Sequence, residues 1–217
     1  MLDIIYEDEA IMVCYKAAGV PTQTAKIGQM DMVSLAANYR KNKGEDTYVG
    51  LVQRLDQPVE GLMVLGKTKE ATAALSEQVR ERRVVKEYFA AVYGEAKEEE
   101  TLTDYLIRDG RKNISRVGKE GEKDAKRSCL EYRKVAQVND KSLVRVKLKT
   151  GRHHQIRVQL AHAGLPIVGD RKYGNANGEY MPLGLCSCYV EFSHPTHGER
   201  LSFSVKPRGK AFEVFDF

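Results

Sequence analysis

Residues 53–56 read Gln-Arg-Leu-Asp, so Arg54 and Asp56 stand two positions apart between the apolar runs Leu51-Val52 and Leu62-Met63-Val64-Leu65. Two readings fit. The pair is a turn ion pair, or Asp56 is a carboxylate mounted to act as nucleophile or proton acceptor. Two further stretches also set polar groups where the local pattern asks for apolar ones: Lys-Glu-Tyr (86–88) and Thr-Gly-Arg-His-His-Gln-Ile-Arg (150–157). A carboxylate facing an apolar pocket is pushed toward its neutral form, and a nearby guanidinium holds it ionised. Arg54 adjoins Asp56 in sequence, and Arg152 is a candidate if the fold brings it close.

These stretches need elements to hold them. Residues 2–8 and 9–16 are two largely apolar stretches joined by an acidic Glu-Asp-Glu turn, which predicts a hairpin. A weak helical pattern covers Met32–Tyr39, and strands are expected on both sides of Asp56. Thr68 suits an N-cap, with Glu70 in the first turn. Ala71, Ala74, Leu75, Gln78 and Val79 then share one face at helical spacing. Residues 84–94 read as a strand and 109–124, with three glycines, as a loop. Two strands around Asn139-Asp140 make a hairpin. A loop at 150–154 opens a short helix stopped by Gly164 and Pro166. Late strands are expected near 184–192 and 200–205, and the last residues are expected to be helical. Strands outnumber helices and short turns join them, which predicts one α+β domain over 1–217 with a largely antiparallel or mixed sheet.

With 217 residues and 42% apolar content, the chain is long enough to bury a real core. No apolar run approaches the roughly 18 residues that cross a bilayer, and the acidic start does not suit a secretory signal. A cytoplasmic protein is expected. The cysteines, Cys14, Cys129, Cys186 and Cys188, read as reduced thiols. The net charge of +5 and basic clusters spread along the chain suit an anionic partner such as a nucleic acid.

In their order, the three polar stretches resemble the RluA-type pseudouridine synthase family, in a form without the small S4 RNA-binding module. The family carries Arg-Leu-Asp, then Lys-x-Tyr after a helix, then Thr-Gly-Arg-x-His-Gln-Ile-Arg. The resemblance runs nearly the whole length: residues 6–20 look like the family's opening hairpin and Lys-Pro-x-Gly turn, and 164–174 and 191–199 look like its later signatures. It implies a long, bent, mixed sheet flanked by helices around a central cleft. It also implies isomerisation of specific uridines in ribosomal or transfer RNA to pseudouridine. Asp56 would act at the sugar, by attacking C1′ or by removing a C2′ proton. Tyr88 would stack on uracil, with its hydroxyl near the proton lost from C5, and Arg152 would pair with Asp56. Arg54, Lys86, His154, Gln155 and Arg157 would support the site or contact RNA. The base must leave its stack, so a single-stranded loop is the expected target. The product is an isomer, so no cofactor and no metal are expected. A monomer is expected. The sequence departs from the family at Gln53 (usually His), at Val59-Glu60 (usually Thr-Ser) and at Ala17 (usually Pro).

Other chemistries fit less well. Cys186, Cys188, His194 and His197 have the count but not the common spacing of a zinc site. Residues 168–174 are glycine-rich without phosphate-loop spacing. A glycoside hydrolase needs two cooperating carboxylates, and only Glu60 is near Asp56 in sequence. The main alternative is a non-catalytic RNA-binding or RNA-folding protein on the same scaffold.

Overall fold

The structure, a computed structural model, describes residues 2–24, 28–174 and 180–217. The chain forms two compact units, one from Met1–Lys86 with Cys186–Lys206, the other from Glu87–Leu185 with Pro207–Phe217.

The first unit opens with the expected hairpin, β1 (Asp3–Glu7) and β2 (Ile11–Lys16). Helix α1 (Met32–Asn42) follows, its first turn capped by Asp31, which accepts from the Ser34 N–H. Strand β3 (Gly50–Leu51) is shorter than the apolar run suggested. It pairs with β4 (Glu60–Gly66), which also lies antiparallel to β2. Later in the chain, β10 (Leu185–Ser193) lies parallel to β4 and β11 (Arg200–Ser204) antiparallel to β10, so the sheet is mixed. β2 and β4 are buried on both faces, which explains why they read as apolar runs rather than alternation. Helix α2 (Lys69–Arg80) begins where Thr68 caps it, the hydroxyl accepting from the Ala71 N–H at 3.1 Å. Its Ala71 and Leu75 join Ile11, Val13, Leu62, Val64, Val190 and Phe192 in the core. Gln78, on the same helix face, exchanges two hydrogen bonds with the backbone of Ser193 at 2.8 and 2.9 Å, which satisfies its buried amide.

The second unit is built on antiparallel strands in the order β5 (Val85–Tyr93), β9 (Lys141–Leu148), β8 (Lys126–Val138), β6 (Glu99–Asp109) and β7 (Ile114–Gly118). Asn139, left-handed at φ 53°, turns β8 into β9. Helix α3 (Gln155–His162) packs on β6 and β7. A 3-10 turn, Lys210–Phe212, lies near the end of the chain. β7 corrects one expectation, since residues 109–124 read as loop. Its five residues carry too few apolar side chains to show a period. What makes them a strand is pairing with β6, from Tyr105↔Gly118 to Asp109↔Ile114. The α+β class, with mixed strands and three α-helices among the described residues, is as expected.

Candidate active site

Asp56 lies half-buried in the connection between β3 and β4, with Arg54 exposed and Leu55 buried before it. Leu55 is the anchor. Its N–H donates to the Thr22 hydroxyl at 3.2 Å, and that hydroxyl donates to the Leu55 carbonyl at 2.8 Å. Beyond it, the Val59 N–H donates to the Asp56 carbonyl at 3.0 Å and closes a turn. The turn is tied to the loop after β2 by Gly19 N–H to Gln57 O and by Gln57 Nε2 to Gly19 O, both 2.9 Å.

Lys16 binds this junction from below. It is fully buried, and its ammonium donates to the carbonyls of Ala17 (3.2 Å), Val20 (2.7 Å) and Gln57 (2.9 Å). Burial pulls its pKa down to about 8, while Asp56 and Glu60 oppose that fall. Glu60, the first residue of β4, is buried and accepts from the Tyr15 hydroxyl at 2.7 Å. Gln53 reaches the Leu62 carbonyl only at 3.5 Å, and its Oε1 is buried with no hydrogen-bond partner among the described residues. The first unit thus brings Arg54 and Asp56 together with two groups that sequence reasoning did not place in the site, Lys16 and Tyr15. Glu60 stood out in the sequence as a departure from the family pattern and as the carboxylate near Asp56, without a role in this site.

Tyr88 is buried on β5, opposite Val146 of β9. Lys86 lies two residues earlier on the strand, where burial lowers its pKa. Arg152 is exposed on the segment joining β9 to α3, its Nε donating to the Arg127 carbonyl at 3.3 Å. Gln155 shapes that segment. Its Oε1 accepts from the Thr150 hydroxyl (2.8 Å) and the Arg152 N–H (2.9 Å), and its Nε2 donates to the Cys129 carbonyl (3.1 Å).

His154 caps α3 in a left-handed conformation, φ 54°. Burial, reinforced by Arg157, His153 and Lys172, takes its pKa down to about 3, so the ring is neutral at pH 7. Its Nδ1 lies 2.6 Å from the Tyr173 hydroxyl, which accepts from the Ser115 N–H at 2.7 Å and can therefore pass its own proton toward His154. Arg157, expected at a substrate-contacting position, is buried and held by Asp170. Arg152, His154, Gln155 and Arg157 thus form one corner of the second unit. Among the described residues, no three His, Cys, Asp or Glu side chains gather as metal ligands.

The family model described as RNA pseudouridylate synthase matches residues 10–162, a span that draws on both units. Ribosomal large subunit pseudouridine synthase D of Pseudomonas aeruginosa is 32% identical over 93% of this chain and 67% of its own length. tRNA pseudouridine synthase C of Yersinia pestis is 29% identical over 95% of this chain and 86% of its own. The solved structure of human RNA pseudouridylate synthase domain containing 4 superposes with a TM-score of 0.79 at 23% identity, covering 95% of this chain and 89% of that one, a likeness of fold.

Proposed function

This chain belongs to the RNA pseudouridylate synthase family, and from that premise we propose that it isomerises uridine in RNA to pseudouridine with Asp56 as the carboxylate that acts at the sugar. The observation that carries the reading is the mounting of Asp56. It rides on a turn fixed by Thr22 and Lys16 through main-chain atoms, half-open to solvent, beside a buried ammonium. Pre-positioning of this kind is what a reacting carboxylate needs.

The N1–C1′ bond breaks, uracil turns within the site, and C5 bonds to C1′ with loss of the C5 proton. Asp56 would attack C1′ or take the C2′ proton. Tyr88 would hold the base by stacking, and Arg152 would supply positive charge to the carboxylate. Arg54 and Lys86 would support the site or the RNA backbone, and His154 and Gln155 would hold the Arg152 segment in shape. Reactants and product have the same atoms, so the chemistry calls for no cofactor or metal. The relatives' names point to ribosomal and transfer RNA as substrate classes, and a flipped uridine in a single-stranded loop is the form we expect. We place the enzyme in the cytoplasm, where its cysteines would stay reduced, and as a monomer.

The test is pseudouridine mapping in RNA from cells with and without the gene, followed by complementation. Wild type should restore the missing sites and Asp56→Ala should not. If Asp56→Ala restores every site, Asp56 is not the reacting group. Binding of RNA with no C5 tritium release from any cellular RNA would mark a non-catalytic RNA binder.

A further inference from the structure

We propose that Glu60 is a positioning residue for the reaction at Asp56, acting through Lys16. The inference rests on the reading of Asp56 above, and all of its geometry lies in the first unit. Asp56 and Glu60 bracket one turn, four residues apart. Lys16 lies on the neighbouring strand, its Cα paired with Gly61, so the ammonium works at the turn between the two carboxylates. A buried carboxylate is costly unless it is paired. Glu60 is only 3% exposed, and it has the Tyr15 hydroxyl at 2.7 Å and the Lys16 charge nearby. The Lys16 charge thus acts through space on two carboxylates, one buried and one half-buried, while its hydrogen bonds go to carbonyls.

The consequence for Asp56 runs through proton count. As an ammonium, Lys16 has three hydrogens for three carbonyls, those of Ala17, Val20 and Gln57. As a neutral amine it has two, so one anchor is lost and so is the positive charge beside Asp56. Burial favours the amine, and the opposing groups are Asp56 from the turn and Glu60 from β4, the latter held by Tyr15 of β2. Removing the Glu60 charge leaves burial less opposed, so the ammonium gives up its proton at lower pH.

Tritium release would be followed from C5-tritiated uridine in total RNA of gene-deleted cells, between pH 6 and 9.5. Filter binding to the same RNA and thermal melting would be measured in parallel. Wild type should lose activity on the alkaline side near the Lys16 transition. Glu60→Gln keeps an acceptor for Tyr15 and drops the charge. It should move the alkaline limb down by about one pH unit. It should also cut the rate at pH 8 by about fivefold, with RNA affinity kept within about twofold. Tyr15→Phe keeps the charge and should leave the limb in place. Lys16→Arg, which does not deprotonate in this range, should remove the alkaline fall, and it carries the test if Glu60→Gln does not fold. The inference is overturned by a Glu60→Gln profile that superimposes on wild type, by a loss confined to RNA affinity, or by an alkaline fall that persists in Lys16→Arg. Asp56→Ala separates the two readings. If it is inactive while Glu60→Gln matches wild type, only the inference about Glu60 fails. If it is active, the reading of Asp56 fails.

Discussion

Arg157 and Asp170 meet in a buried, two-pronged ion pair, with Nε and Nη2 of the guanidinium each donating to a carboxylate oxygen at 2.7 Å. Their side chains are 5% and 1% exposed. The same carboxylate accepts from the N–H groups of Lys172 and Tyr173, and the guanidinium lies over the Tyr173 ring. This corner fastens α3 to the 167–174 segment.

Removing one partner leaves the other as a buried unpaired charge, so Arg157→Met should cost about 3–5 kcal/mol. Urea unfolding measures it. Burial would raise the Asp170 carboxyl, but Arg157 and the two N–H groups hold it below the usual range. The contribution is therefore complete above the ordinary aspartate pKa and is lost as pH falls toward the depressed one. A variant with unchanged stability and weakened RNA binding would instead make Arg157 an RNA contact.

Lys16→Met should be destabilised by about 3 kcal/mol, because the carbonyls of Ala17, Val20 and Gln57 lose their shared donor in a buried site. The turn carrying Asp56 should then exchange its amide hydrogens faster, with Val59 the most informative probe. Unchanged exchange there would show that Thr22 and the Gly19–Gln57 hydrogen bonds fix the turn without Lys16.

His154 should make the protein acid-sensitive. Its folded pKa lies near 3, below the ordinary value of 6.5. The unfolded chain therefore takes up the proton first, and stability falls as pH drops from about 6.5 toward the folded value. The slope from this one group is at most about 1.4 kcal/mol per pH unit. His154→Asn, which tolerates the left-handed backbone, should flatten that slope in melts between pH 7 and 4.5. An unchanged slope would assign the acid sensitivity elsewhere.

Gly61→Ala should disrupt the first unit. Gly61 has φ +112°, and an added Cβ would lie 2.3 Å from the Ser187 carbonyl oxygen. Neither strand can retreat without breaking the β4–β10 pairing, so a loss of about 3 kcal/mol or more is expected. Melting temperature and expression yield report it. A stable Gly61→Ala variant would mean that this strand pair is looser than its backbone spacing implies.

Much of the fold was legible because local signals and tertiary structure agree. The β1–β2 hairpin, the Thr68 cap, the Asn139-Asp140 turn and the stop of α3 at Gly164 all follow from residue type and spacing. β7 was not legible, because a five-residue strand with mixed side chains owes its existence to a partner distant in sequence. In the site, the Arg-Leu-Asp segment was visible as motif, but the burial of Lys16 was not. Lysine is normally an exposed residue, and nothing in Tyr15-Lys16-Ala17 announces that three carbonyls will converge on its ammonium. Arg157 shows the converse. Among basic neighbours it looked like an RNA contact, and its buried partner, Asp170, comes from a separate segment.

Lys16 grips its neighbours by main-chain oxygens alone, and that grip does not depend on which side chains Ala17, Val20 or Gln57 carry. The rim of the Asp56 turn can therefore be rewritten by substitution while the perch of the carboxylate stays put. For laboratory evolution of altered uridine preference, positions 17, 18 and 20 are where diversity should be introduced, with Lys16, Thr22, Gln57 and Gly61 left untouched.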